Sequence, residues 1–275
     1  MNIELKTIQD HLHHHQIIED LLGFQFWLNN KVADVYNADM EYSKNHMSAA
    51  FVHGLFSLNL LSLYASFMTS QQNLLHQTVT NLRTIYESIP KMYYISFFPN
   101  EIRDILLKDQ IVGKSDEDAI NSLKSNKTLD FFENKELGDL KIFVKELGHK
   151  YYFKWFVRKI YSESQIKQLE STFGLLSISS HSSVARKQYA SGYEKEETGD
   201  IFELIELLSF FNILAQANGH KEMMDERKYP IAELTEFVEK IRGVLAKDGK
   251  MSSLFPDHPE IINKLIISPP RAPWH

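Results

Sequence analysis

A long stretch without charged side chains constrains this chain more than any other feature. From Asn45 to Leu82, 38 residues contain no Asp, Glu, Lys or Arg, although charged residues make up 24% of the protein. Leu, Phe and Met recur through the stretch at helical spacing. A helix that is apolar on nearly all sides is normally buried on nearly all sides. The stretch therefore predicts a helical region at the centre of the fold.

The composition of the whole chain also favours helices. Glycine (11) and proline (8) are scarce among 275 residues, and the segments between them are long. This pattern favours helices over many short strands. We predict an all-α protein, a multi-helix bundle around a buried central helical hairpin. Residues 1–275 are interpreted as a single helical domain with its core at about 40–250, and 251–275 as a short helix and extended tail.

The spacing of apolar residues also predicts where individual helices lie. The central hairpin is expected to consist of one helix over about 41–69 and a second over about 72–97. Pro90 should kink the second helix, since proline removes one backbone hydrogen bond. A helix break is expected at Gly148. Asp200 is expected to cap a strong later helix, because an aspartate side chain accepts from free N–H groups at a helix start.

Charge and cysteine content exclude several classes of function. The net charge of -6 and the pI near 6.1 give no global electrostatic reason to bind nucleic acid or anionic lipid. The absence of cysteine excludes disulfides, thiolate catalysis and cysteine-ligated metal centres. The N-terminal residues lack the basic start and apolar run of a secretory signal, so we expect a cytoplasmic protein.

Residues 48–68 are long enough to cross a membrane, at roughly 20 residues. They also contain His53, Gly54, Asn59 and four serines, and no cluster of Lys or Arg marks one side as cytoplasmic. We favour a buried helix of a soluble protein and expect no membrane partner. A membrane span is the alternative.

Two groups of polar residues could form a catalytic site. Arg83 and Glu87 are four residues apart and share a helix face. They predict either an ion pair that fixes packing or an anion-binding or catalytic pair. His181 lies among serines with Arg186 close behind, which suits a general acid or base beside a phosphate-binding arginine. The alternative for His181 is an ordinary helix end capped by serines.

One stretch combines basic and aromatic residues. Lys150, Lys154 and Arg158 are four residues apart, and Tyr152, Phe153, Trp155 and Phe156 lie between them. Basic side chains can neutralise phosphates while rings stack on bases. These three residues are the predicted nucleic-acid contact. The alternative is a helix with its aromatic side chains in the core and its basic side chains solvated.

The sequence offers little support for a metal or another cofactor. His11 and His15 have the spacing of a two-point metal site on a helix, but terminal histidines are usually exposed. Glu146 and His149 match the Glu-x-x-His pattern of di-iron bundles, which requires two such motifs. We find one copy, and we expect neither a metal nor an organic cofactor.

Two short motifs resemble those of a known group. Leu82-Arg83-Thr84-Ile85-Tyr86-Glu87 follows an apolar helix, and Ser180-His181-Ser182 precedes another apolar helix about a hundred residues later. Together they resemble the helical HEPN-like proteins of bacteria and archaea, over roughly residues 40–220. The resemblance implies a helical bundle, commonly dimeric, linked to defence or toxin systems. Active members are metal-independent ribonucleases in which four to six residues separate an arginine from a histidine, and this chain has no such spacing.

Three functions follow from these patterns. The first is a prokaryotic HEPN-like binding or accessory module in a defence or toxin system, homo-oligomeric, with a protein or nucleic acid as partner. The second is an enzyme acting on a phosphate-containing substrate, such as a ribonuclease, through Arg83, Glu87, His181 and Arg186. The third is a structural interaction module. Whether the protein is an enzyme stays open at this point.

Overall fold

A computed structural model gives the fold of the chain. The structure describes residues 2–39, 42, 46–72, 74–125, 137–181, 195–221, 223 and 228–247. The predicted tail at 251–275 and residues 182–194 lie outside these residues.

The described residues form ten α-helices and one short 3-10 turn. Their bounds are α1 (Asn2–Ala38), α2 (Met47–Gln71), α3 (Leu75–Phe97), the 3-10 turn (Pro99–Glu101), α4 (Ile102–Ile111), α5 (Asp116–Ser125), α6 (Leu137–Gly148), α7 (Phe153–Ile160), α8 (Glu163–His181), α9 (Lys195–Gly219) and α10 (Ile231–Lys247). No strand occurs among the described residues. The predicted all-α bundle is confirmed, while its organisation as one domain stays a prediction.

The predicted hairpin is present as α2 and α3, which pack along each other and against α9. The α3 helix continues through Pro90, which is itself buried. The α9 helix lies deepest, because every residue from Ile205 to Ala217 is buried. Contact between α9 and α2 is close, since a Cβ on Gly219 would lie 2.6 Å from Cγ1 of Val52.

The prediction that the central helix is buried on nearly all sides is wrong for α2. In the most apolar window of α2 only 39% is buried, against 83% for α9. Leu58 and Leu61 are 62% and 60% exposed. The absence of charge from the sequence therefore does not report burial here, because one uncharged face of α2 is turned to solvent.

Two predicted helix ends can be compared with the structure. The break at Gly148 is confirmed, since α6 ends there and α7 begins at Phe153. The prediction that Asp200 caps a helix is wrong, because α9 begins five residues earlier, at Lys195. The polar run Lys195-Glu-Glu-Thr-Gly forms the start of α9 and continues into the apolar part of the helix without a break.

Candidate functional site

Arg83 and Glu87, the predicted catalytic pair, contact each other on α3. Nη2 of Arg83 lies 3.9 Å from Oε1 of Glu87, and the two side chains are 23% and 43% exposed. The Arg83 guanidinium also lies over the ring of Phe173 on α8, 5.4 Å from its centroid. An ion pair this open to water contributes only ~0–1 kcal/mol. Arg83 therefore joins α3 to α8 by stacking, with a weak ion pair along its own helix.

His181 and Arg186 cannot be placed beside that pair. His181 is the last residue of α8 and its side chain lies outside the described residues, as does the whole of Arg186. Arg83 meets α8 at Phe173, eight residues before His181, which is about 12 Å of helix rise. The convergence of Arg83, Glu87, His181 and Arg186 on one catalytic site stays a prediction.

The predicted nucleic-acid residues lie on the surface, but two of them share an acidic partner. Lys150, Lys154 and Arg158 are all exposed. Nε of Arg158 donates to Oε1 of Glu170 at 3.0 Å, and Nζ of Lys154 lies 3.9 Å from Oε2 of the same carboxylate. Glu170 therefore offsets part of the positive charge of this surface.

The aromatic residues of the basic stretch divide between core and surface. Phe153 and Phe156 are buried and contribute to the core of the bundle, so they are not available to stack on bases. Tyr152 is 47% exposed, and Trp155 is partly buried with Nζ of Lys159 5.6 Å from its ring. A nucleic acid could therefore stack on Tyr152 and Trp155 at most.

The exposed face of α2 is the most unusual surface that the structure describes. Large apolar side chains rarely stand together in water on a soluble protein unless they bind something. Along α2, eight positions recur at alternating intervals of four and three residues, and large apolar side chains stand at five of them. We refer to this set as the α2 face: Met47, Phe51, Gly54, Leu58, Leu61, Ala65, Met68 and Gln72.

Exposure differs along the α2 face: Phe51 and Ala65 are partly buried, and the Phe51 ring also packs against the core with Nζ of Lys91 5.3 Å from its centroid. Met47 is 52% exposed and Met68 37%, while Leu58 and Leu61 at the middle are the most exposed of the large ones. The α2 face is extended sideways by Tyr64, 46% exposed, and by Phe26 of α1, whose ring meets that of Tyr64 edge to face at 6.1 Å. An alternation of three and four residues is the spacing with which one helix packs against another.

A chain of buried amides lies on the opposite side of α2. Nδ2 of Asn212 donates to Oε1 of Gln25 at 2.8 Å, and Nδ2 of Asn59 donates to Oδ1 of Asn212 at 2.9 Å. Oγ of Ser88 donates to Oδ1 of Asn59 at 2.6 Å. This polar core links α1, α9, α2 and α3. Sequence reasoning missed it, although an asparagine inside an otherwise apolar helix was the available signal.

The histidines near the N-terminus have a packing role. Nδ1 of His14 and Oε1 of Glu206 are 2.7 Å apart, and both side chains are nearly buried. The ring of His15 packs edge to face against Phe67 and Phe202. The side chain of His11 lies outside the described residues. A buried carboxylate requires a partner, and His14 supplies it.

Two further histidines contact each other near the other end of α9: His220 is fully buried, and His53 of α2 is partly buried. Nδ1 of His220 donates to the carbonyl of Gln216 at 2.8 Å, so its Nε2 accepts from the hydroxyl of Tyr36 at 3.0 Å. Nδ1 of His53 accepts from Nε2 of Gln216 at 3.1 Å. Burial lowers the pKa of His53 to about 4 and is the main cause that lowers the pKa of His220 to about 3. Both rings are therefore neutral near pH 7.

A third polar cluster fastens the connection between α6 and α7. Tyr94 and Tyr151 both donate to Oε2 of Glu101, at 2.6 and 2.9 Å. Tyr151 has a φ of 59°, a conformation that costs energy for a residue with a side chain. Burial raises the pKa of both tyrosines, and their hydrogen bonds to Glu101 raise it further. They therefore stay protonated donors, and the cluster holds this connection against the 3-10 turn.

Among the residues that the structure describes, no group of three or more His, Asp or Glu side chains could hold a metal ion. The Glu146–His149 motif illustrates the reason, because α6 ends at Gly148 and His149 already lies in the following turn. In the described part of the chain, two helices, α2 and α9, are long and apolar enough to cross a membrane by length and composition alone.

No protein-family model, no curated protein and no solved structure matches this chain. The HEPN-like resemblance stays a prediction from two short motifs.

Proposed function

We propose that this chain is a helical binding module and that the α2 face is its docking surface, taking an apolar helix of a protein partner. The observation that carries the proposal is the exposure of Leu58 and Leu61, at 62% and 60%, in the middle of a stretch without any charge. Exposed apolar patches on soluble proteins mark interaction sites. The HEPN-like resemblance supports a role as an accessory protein of a prokaryotic defence or toxin system, acting in the cytoplasm.

The arrangement of α2 favours a protein partner over a membrane. The side of α2 opposite the α2 face is joined to the rest of the bundle through Asn59, and α2 packs on both α3 and α9. A membrane span would present apolar side chains all round to lipid or to other spans. Here charged side chains such as Lys31 and Asp34 are exposed on the neighbouring helix α1.

The proposal is tested by placing a photo-reactive benzophenone amino acid at position 61 or at position 142. Ile142 on α6 is a matched control because it is 61% exposed, as Leu61 is 60% exposed. In cells that express the full chain at its natural level, we expect position 61 to form several times more protein cross-links than position 142. A further Leu58→Lys change should remove the excess, since a charge in the contact cannot be desolvated cheaply. Equal yields at the two positions would contradict the proposal.

A second candidate function is contact with single-stranded nucleic acid through Lys150, Lys154 and Arg158. The exposure of all three side chains on one short stretch favours it. Changing the three to Gln should weaken the binding of a mixed-sequence RNA oligonucleotide. The slope of log Kd against log salt concentration should become shallower by about 2, because three phosphate contacts are lost.

The control for that measurement carries the same loss of charge elsewhere. Lys31, Lys221 and Lys240 are exposed on other helices or helix ends, and changing them to Gln should leave the slope unchanged. A triple variant at 150, 154 and 158 that keeps the affinity and the salt slope of the wild type would exclude this candidate.

The enzyme hypothesis has less support than either binding function. Arg83 and Glu87 lie 3.9 Å apart and partly neutralise each other, and Arg83 stacks on Phe173. The partly buried His53 bonds Gln216, and the buried His220 bonds Tyr36. An Arg83→Lys variant would lose the stacking contact with Phe173 while keeping its charge, which distinguishes a packing role from an anion-binding one.

A further inference from the structure

We propose that the helix which docks on the α2 face is α2 of a second copy of this chain, in antiparallel orientation about a twofold axis between Asn59 and Leu60. This inference rests on the proposed docking function and names its partner. Three properties of the α2 face support this pairing: its spacing, the order of its large and small residues, and its lack of charge.

The spacing indicates that the partner is a helix of similar length. The α2 face repeats at intervals of four and three residues from Met47 to Gln72, which is the heptad pattern of paired helices. It extends over all 25 residues of α2, about 37 Å. A partner that fits the whole face must therefore present a straight apolar helix of about seven turns. Among the helices described, α2 itself is the one that presents such an exposed face.

The order of residues along the face is complementary to its own reverse. In an antiparallel pair of helices, residue numbers increase along one copy and decrease along the other. The residue numbers of two residues that lie opposite each other therefore add up to the same sum in every layer. With a sum of 119, every layer of the α2 face finds a matching layer. The pairs between one copy and the other are Leu58 with Leu61, Gly54 with Ala65, Phe51 with Met68, and Met47 with Gln72.

This register places like sizes together. Two leucine layers lie at the centre, and a layer of the small residues Gly54 and Ala65 lies on each side of them. Small side chains let two helices approach closely, since the distance between helix axes depends on the side chains at the contact. The next layer pairs the ring of Phe51 with the sulfur of Met68, a favourable contact. A shift of one heptad would instead place Leu61 opposite Ala65 and Gly54 opposite Gln72, and the size match would be lost.

The charge of the molecule also favours a second copy. The chain carries a net charge of -6, so two copies repel each other at most surfaces. The charge-free stretch from Asn45 to Leu82 lets two α2 helices meet without bringing acidic side chains together. A different protein partner would normally be selected by complementary charges around the contact. The α2 helix itself carries no charge, and Lys91 of α3, whose Nζ lies 5.3 Å from the centroid of the Phe51 ring, is already paired with Asp109.

Sedimentation of the purified full-length protein tests the partner. We expect a dimer that dissociates on dilution, and a monomer for Leu61→Lys at the same concentration. Leu61 is exposed in one copy, so this variant should keep the melting temperature of a monomeric subunit and its helical circular dichroism. Ile142→Lys, at an equally exposed position on α6, should remain a dimer. A monomeric wild type, or a Leu61→Lys variant that stays dimeric, would overturn self-pairing.

Cysteine cross-linking tests the register, because the chain contains no cysteine of its own. Leu58→Cys and Leu61→Cys chains of different mass are mixed and oxidised. The antiparallel register brings position 58 of one copy to position 61 of the other, so disulfides between the two variants should exceed those within each variant. A parallel pair gives the opposite result, joining 58 to 58 and 61 to 61, and would overturn the orientation.

The benzophenone at position 61 separates this inference from the function on which it rests. A cross-linked species with twice the mass of the chain supports self-pairing. A cross-link to a different protein, with the purified chain monomeric, overturns self-pairing and leaves the docking function in place. A yield no greater than that at position 142 overturns both.

Discussion

Asn212 illustrates how much of this fold depends on single buried amides. Its side chain makes two hydrogen bonds to other side chains, with Gln25 on α1 and Asn59 on α2, and a third to the carbonyl of Phe56 at 3.3 Å. The residue is completely buried within the apolar part of α9. Since a buried amide without partners is costly, the amides of the polar core require one another.

Changing Asn212 to Ala should therefore destabilise the protein strongly. The change removes a partner from both Gln25 and Asn59, and leaves their amide groups buried. We expect the free energy of unfolding to fall by ~2–4 kcal/mol, measured by urea denaturation followed by circular dichroism. Thr80→Ala is the control: Thr80 is exposed and bonds only the carbonyl of His76 in its own helix, so its loss should cost less than ~0.5 kcal/mol. Equal effects of the two changes would show that the polar core does not hold the helices together.

At the scale of helices, the spacing of apolar residues was sufficient to predict class and approximate positions. The central hairpin was expected over about 41–69 and 72–97, and α2 and α3 occupy Met47–Gln71 and Leu75–Phe97. The break at Gly148 was also predictable, because glycine and the basic residues after it interrupt the apolar pattern. The start of α9 was not predictable from the sequence. The run of Lys, Glu and Thr from residue 195 has polar side chains, which suit a loop and a turn of helix equally.

The candidate site shows a different limit of the sequence. A stretch without charges can be hidden in the core or can form a contact between molecules, and both need apolar side chains. We predicted from the sequence that the charge-free stretch is buried, whereas the side chains of Leu58 and Leu61 face solvent. The distinction depends on which helices pack on which face of α2, and that is set by partners such as Asn212 that lie more than a hundred residues away in the chain.

For the whole molecule, the buried His220 and the partly buried His53 predict how stability depends on pH. Burial lowers the pKa of His53 to about 4 and that of His220 to about 3, while an unfolded histidine titrates near 6.5. Below pH ~6.5 the unfolded chain therefore binds protons that the folded chain does not. The contribution of both residues is fully present above pH ~6.5 and is lost as the pH falls toward about 4 and about 3.

We expect the free energy of unfolding to decrease between pH 6.5 and 5, with each of the two histidines contributing up to ~1.4 kcal/mol per pH unit. Urea denaturation at several pH values measures this slope. In the variant His53→Gln the side chain at that position is uncharged at every pH. The decrease in the free energy of unfolding per pH unit should therefore be smaller by the contribution of one histidine. Between pH 7.5 and 8.5 the wild type and the variant should show the same slope, since both histidines are neutral there in either state.

A wild-type slope that His53→Gln leaves unchanged between pH 6.5 and 5 would show that His53 accepts a proton in the folded protein without cost. That result would require water or an acidic group to reach the ring, although its neighbours are Gln216, Phe56 and His220. Sedimentation at pH 5, measured in parallel, distinguishes a loss of folding within each copy from a loss of contact between the two copies. The α2 face carries no titratable side chain, so acid should weaken the fold of each copy before it weakens the contact between copies.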